Sequence, residues 1–136
     1  MFGALVTSIL NLFGSFASFT STFDEVLENS DFISVHIPAS EKYIIDSKEI
    51  EKMKDGVGLL NLSRGGIVNE EELLKSINSG KVSFAGIDTF ENEPVPSMKL
   101  LMNSNISLTP HIGAATSEAQ DRIGVELADK INKILS

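Results

Sequence analysis

An arginine, a glutamate and a histidine, far apart in the chain, each follow a stretch that reads as a β-strand. Arg64 lies in Asn61-Leu62-Ser63-Arg64-Gly65-Gly66, Glu93 in Asp88-Thr89-Phe90-Glu91-Asn92-Glu93-Pro94, and His111 in Leu108-Thr109-Pro110-His111-Ile112-Gly113. A guanidinium can grip a carboxylate through two parallel hydrogen bonds. An imidazole titrates near neutral pH and can pass a proton. A carboxylate in contact with that imidazole favours its charged form and fixes its orientation. Together these groups suit reduction of a carbonyl, or oxidation of an alcohol, beside a carboxylate. Each also has a plainer reading. Arg64 could satisfy nearby carbonyls, His111 could be structural, and Glu93 could be a solvated loop carboxylate. Asp88 ends its strand, where a capping or turn role is as natural as a ligand contact. His36, beside Ile37-Pro38, reads equally as a core histidine or as a contact at a ligand's edge.

These residues need elements to hold them. Ala4 to Phe13 has Leu5, Ile9, Leu12 and Phe13 at helical spacing, with Gly14 as its stop. Phe16 to Phe19 reads as a short strand. Thr22 with Glu25 is a capping-box pattern for a short helix ending near Asn29. Asp31 to Ile37 and Val57 to Leu62 read as strands buried on both faces. Val82 to Ile87 and Ile106 to Leu108 complete a set of four. Between them fall helices over Ser47 to Lys54 and Glu70 to Ser79, the latter with Asn69 as its cap and Gly80 past its end. Residues 88–104 are loop-like, with one helical turn over Met98 to Met102. Ser117 with Gln120 opens the longest helix, whose stripe is Ala119, Ile123, Leu127, Ile131 and Ile134. Alternating strands and helices predict an α/β fold with a parallel sheet. In such open sheets, ligands bind beyond the carboxyl ends of the strands, where all three motifs fall.

The chain of 136 residues fits a single domain. Its 42 % apolar and 22 % charged residues are ordinary for a soluble protein. A net charge of −8 argues against nucleic acid as a partner, since phosphate backbones need a basic surface. It leaves nucleotide cofactors open, because helix N-termini hold them without net positive charge. With no cysteine and two distant histidines, no metal site is expected. Met1 to Phe23 carries no charged side chain but has no basic start for a signal peptide. Its scattered Ser, Thr, Asn and Gly do not suit a spanning helix. It is therefore read as a buried helix and strand of a cytoplasmic protein with no membrane partner.

From Asp24 onward the chain resembles the NAD-binding domain of D-2-hydroxyacid dehydrogenases, most closely the D-3-phosphoglycerate dehydrogenases. The resemblance rests on Ser30-Asp31-Phe32-Ile33-Ser34-Val35-His36-Ile37-Pro38, Met53-Lys54-Asp55-Gly56, Gly86-Ile87-Asp88 and the three motifs above. It implies a Rossmann-like parallel sheet flanked by helices, NAD as cofactor and a 2-hydroxy or 2-keto acid as substrate. It implies that Arg64 binds the substrate carboxylate, His111 is the acid–base and Glu93 pairs with it. It places Asp88, Gly113 and Ala114 near the nicotinamide, His36 and Pro38 on the adenosine side, and Ser63 among the cofactor-binding residues. A D-3-phosphoglycerate substrate would imply a role in serine biosynthesis.

The resemblance also implies a truncated domain: residues 1–23 diverge and 24–136 are family-like. Gly3 matches the last glycine of the phosphate-binding turn, with Phe13-Gly14 closing the next helix. On that alignment the first strand is missing, and Thr20 or Ser21 stands where an acidic residue would hold the ribose. The strand over Asp31 to Ile37 then gains an open edge, which favours a homo-oligomer. Two function classes follow: an NAD-dependent 2-hydroxyacid oxidoreductase, or a non-catalytic, self-associating remnant with a defective cofactor site. A third reading is a piece of a complete enzyme.

Overall fold

The structure is a computed structural model that describes residues 6–8 and 22–135. The chain runs β1 (Val6–Ser8), α1 (Phe23–Asn29), β2 (Phe32–Val35), α2 (Ser47–Lys52), β3 (Val57–Asn61), α3 (Glu70–Ser79), β4 (Val82–Ile87), α4 (Met98–Leu101), β5 (Ile106–Leu108) and α5 (Ser117–Leu135). Local chemistry fixes several ends. The Thr22 hydroxyl accepts from the Glu25 N–H, and the Glu25 carboxylate accepts from the Thr22 N–H at 2.8 Å, so α1 starts with a reciprocal box. Asp46 and Glu49 do the same for α2. Asn69 accepts from the Glu71 and Glu72 N–H groups at the start of α3, and Gly80 closes it in the left-handed conformation.

Strands β2, β3, β4 and β5 are parallel and lie in chain order. Their carboxyl ends are level: Val35 pairs with Asn61, Asn61 with Ile87 and Ile87 with Leu108. The loops that follow therefore leave one rim side by side. Right-handed crossovers added in one direction place the connecting helices on one face. Burial agrees, since Ile33, Val35, Leu59, Ala85 and Ile87 form one core with Leu27, Ile50, Leu73, Ile77 and Leu100.

Two expectations need correction. Val6–Ser8 is a strand, not part of a helix, and pairs antiparallel with β2 (Val6 with Val35, Ser8 with Ile33). The ladder groups on the edge of β2 outweigh a local helical pattern that already contains β-branched Val6 and Thr7. The edge expected to be open is thus occupied. The remainder of that expected helix, Gly3, Gly14 and the Phe16–Phe19 strand lie outside the described residues. The second correction concerns burial. Phe32 and Phe84 are 36 % and 38 % exposed on the sheet's other face, with ring centroids 5.9 Å apart over Gly58. The other face is thus covered only in part, since Ser34 and Gly58 are buried there while Phe32 and Phe84 are not.

Candidate functional site

The turn after β3 is built by Asn61. Its side-chain oxygen accepts from the Ser63 N–H at 3.2 Å and the Ser63 hydroxyl at 2.9 Å, and its amide donates to the Arg64 carbonyl at 2.9 Å. Ser63 is buried by these contacts, while the Arg64 side chain remains exposed and gives one N–H to the Ser63 carbonyl at 2.6 Å. The next residue sets the position of the whole turn. A Cβ built on Gly65 would stand 1.8 Å from the Phe90 carbonyl oxygen. Only glycine lets the Arg64 turn press against the loop that carries Glu93.

Asp88 holds the third loop. It is 2 % exposed, and its carboxylate accepts from the Thr109 hydroxyl at 2.5 Å and the Ile112 and Gly113 N–H groups at 2.9 Å each. Burial by itself raises the Asp88 carboxyl. The three hydrogen bonds, with a smaller effect from His111, outweigh it and leave the group below the usual aspartate range. The anchored loop keeps His111 at φ +53°, a left-handed conformation that a non-glycine residue adopts at a cost of about 1 kcal/mol or more.

In that conformation the His111 ring meets Glu93. Nδ1 is 3.0 Å from each carboxylate oxygen, and the Phe90 N–H donates to the same carboxylate at 3.2 Å. The Glu93 carboxyl is lowered, first by its bond with His111 and then by the Phe90 N–H; burial opposes them, and the charges of His111 and Arg64 add smaller lowering effects. Glu93 and His111 are thus paired, and Gly65 sets the Arg64 turn against the loop that carries Glu93. Nδ1 is engaged by Glu93, and Nε2 is the second nitrogen of the ring. A largely apolar cleft of about 290 Å³ opens beside the pair, lined in part by Phe90, Pro94, Leu101 and Leu108.

The remaining expected residues are distributed around this centre. His36 is exposed just past β2, not in the core, with Nε2 2.7 Å from the Ser34 hydroxyl. Pro38 is exposed on the same loop. The Gly113 N–H is taken by Asp88, and the Ala114 carbonyl accepts from the Gln120 side chain. Two residues gain roles that sequence reasoning did not assign. Asn61 shapes the Arg64 turn, and Leu62 is 47 % exposed, an apolar surface beside that turn. Leu62 had a local signal, an apolar residue just beyond its strand. Asn61 had none beyond its place in the motif.

Comparison with known proteins decides the lineage. The sequence profile described as "D-isomer specific 2-hydroxyacid dehydrogenase, NAD binding domain" matches residues 14–113. The chain belongs to this family. It is 50 % identical over 117 residues to a hydroxypyruvate reductase of Thermotoga maritima, covering 82 % of this chain and 38 % of that protein. It is 46 % identical over 112 residues to a D-3-phosphoglycerate dehydrogenase of Archaeoglobus fulgidus, covering 80 % of this chain and 21 % of that protein. Among solved structures, a glyoxylate reductase from Paecilomyes thermophila superposes with a TM-score of 0.71 at 40 % identity. That match covers 77 % of this chain and 33 % of the other. The chain thus spans well under half the length of the relatives it matches.

The family is an NAD-binding one, and the rim of this domain suits the cofactor. His36, Pro38, Leu62 and Ala114 are all exposed at or beyond the carboxyl ends of the strands, where open α/β sheets take dinucleotides. The buried carboxylate of Asp88 keeps its charge, and its oxygens are engaged by the Thr109 hydroxyl and the Ile112 and Gly113 N–H groups.

Proposed function

We propose that this domain carries the cofactor side and the acid–base pair of a 2-hydroxyacid oxidoreductase, acting on a small 2-keto or 2-hydroxy acid of the D-3-phosphoglycerate type. NAD bound at the rim would supply or accept the hydride at the substrate's C2. His111, through Nε2, gives a proton to the C2 oxygen in reduction and takes it back in oxidation. Glu93 stabilises the imidazolium and holds the ring by Nδ1. Arg64 holds the substrate carboxylate. Ser63 and Asp88 shape the loops, and exposed His36, Pro38 and Ala114 line the cofactor's path.

The observation that carries this reading is the His111 ring nitrogen held 3.0 Å from both Glu93 oxygens, with the Arg64 turn pressed through Gly65 against the loop that carries Glu93. The test is NADH-dependent reduction of glyoxylate, hydroxypyruvate and phosphohydroxypyruvate, with Arg64→Gln as the variant. Loss of the substrate carboxylate's partner is expected to raise KM at least about tenfold for each substrate, the scale of a charged hydrogen bond. An unchanged KM removes Arg64 from the reading.

A second reading is a non-catalytic, self-associating domain. The apolar stripe of α5 supports it, because Ile123, Leu127, Ile131 and Ile134 are exposed. Under this reading calorimetry detects no NADH binding at millimolar cofactor, and sedimentation finds a dimer or larger species.

A further inference from the structure

Two glutamates next to the site are not used by the chemistry above. Glu70 is the first residue of α3, and Glu91 lies between Asp88 and Glu93. Each accepts the other's backbone N–H. The Glu70 N–H donates to Glu91 Oε1 at 2.9 Å, and the Glu91 N–H donates to Glu70 Oε1 at 2.8 Å. The Tyr43 hydroxyl donates to Glu91 Oε2 at 3.2 Å. The result is a closed exchange between two loops of the rim.

Helix capping alone does not explain it. Asn69 already accepts from Glu71 and Glu72, and a lone carboxylate at Glu91 would complete the first turn. The return bond, from the Glu91 N–H to Glu70, does nothing for the helix. It fixes the backbone two residues before Glu93. It also puts two carboxylates side by side. Burial raises the Glu70 carboxyl, the Glu91 N–H offsets part of that, and the Glu91 charge raises it again. Carboxylates perturbed by burial and by a like charge are found preferentially at functional sites. Gly65 points to what is fixed, because its close approach to Phe90 joins the Arg64 turn to the same stretch of backbone.

We propose that the Glu70–Glu91 exchange is a positioning clamp, which holds the loop of Glu93 so that its carboxylate meets His111. Its functional meaning rests on the reading of Arg64, Glu93 and His111 as the reacting groups. Misplacement of such a group by about 1 Å can cost on the order of a hundredfold in rate.

The test uses Glu70→Ala and Glu91→Ala, with Glu70→Gln as the conservative rescue, since an amide oxygen still accepts the Glu91 N–H. The readout is the titration of the Glu93 carboxyl by carbon-13 NMR, which follows its contact with His111 and does not need turnover. In both alanine variants the Glu93 titration is expected to move up toward that of an ordinary glutamate, and Glu70→Gln to restore it. Folded alanine variants in which Glu93 titrates as in the parent overturn the clamp and leave the exchange merely structural. If neither alanine variant folds, Glu70→Asp, whose shorter side chain draws the carboxylate back from the Glu91 N–H, carries the test with a smaller shift in the same direction. No shift there overturns the clamp as well. Oxalate binding to the parent protein is measured alongside as a probe of Arg64. Its absence removes the functional reading, while the Glu93 shift still decides the clamp.

Discussion

After β4, Asp88, Glu91 and Glu93 each accept hydrogen bonds from another loop or helix of the same domain. Along α5 the pattern reverses. Ile123, Leu127, Ile131 and Ile134 are exposed, and Ala119 alone among its described residues is buried. The rim is held by polar bonds that are complete within the domain, whereas the apolar stripe of α5 buries little against it. The contrast separates two contributions to the fold. Geometry at the site depends on a few charged hydrogen bonds, and α5 adds little to the stability of the lone domain.

The largest expected effect is at Asp88. Asp88→Ala leaves the Thr109 hydroxyl and two loop N–H groups without their acceptor. Bonds to a charged acceptor contribute roughly 1.5–3 kcal/mol each, so a loss of at least about 3 kcal/mol is expected in denaturant unfolding. A loss below about 1 kcal/mol would show that the rim is not fixed as described.

A smaller effect separates carboxylates by the sign of their shifts. Asp88 and Glu93 are lowered in the folded protein. Their contributions are complete above their unfolded values, roughly 3.9 and 4.3, and are lost as pH falls through the folded ones. Glu70 is raised. Its contribution is complete below its unfolded value, about 4.3, and is lost as pH rises through its folded value. Unfolding free energy measured against pH should therefore lose part of its acid limb in Asp88→Asn. In Glu70→Gln it should lose a decline on the rising side. Matching changes in the two variants would contradict the assignment.

The smallest effect is on α5. At concentrations where sedimentation shows a monomer, Leu127→Ala should change stability by less than about 0.5 kcal/mol, as for other exposed positions. A larger loss would show that the stripe is covered, and the comparison with the rim would then fail.

Local signals made much of this legible in the sequence. Asn69 and Gly80 bracket α3 because cap chemistry is written in adjacent residues. The run Val82–Ile87 is a strand from end to end, and α5 matches its stripe. The motif positions at the carboxyl ends followed from the alternation of strands and helices. What was hidden depends on distant pairing. Val6–Ser8 is a strand because β2 offers it a ladder. The exchange of Glu70 with Glu91 joins residues 21 apart that carry no shared local pattern. Asp88 looked as suited to a ligand as to a turn, and only the loop folded over it shows where its oxygens are spent. The left-handed backbone of His111 is likewise imposed by that loop, since the preceding Pro110 does not specify it.

The most direct measurement is NADH-dependent reduction of hydroxypyruvate by the parent protein and by His111→Asn, each confirmed as folded. The account predicts that the parent turns over and that the variant loses about 10²- to 10⁴-fold in kcat, the usual contribution of a positioned proton donor. A variant as fast as the parent would contradict it.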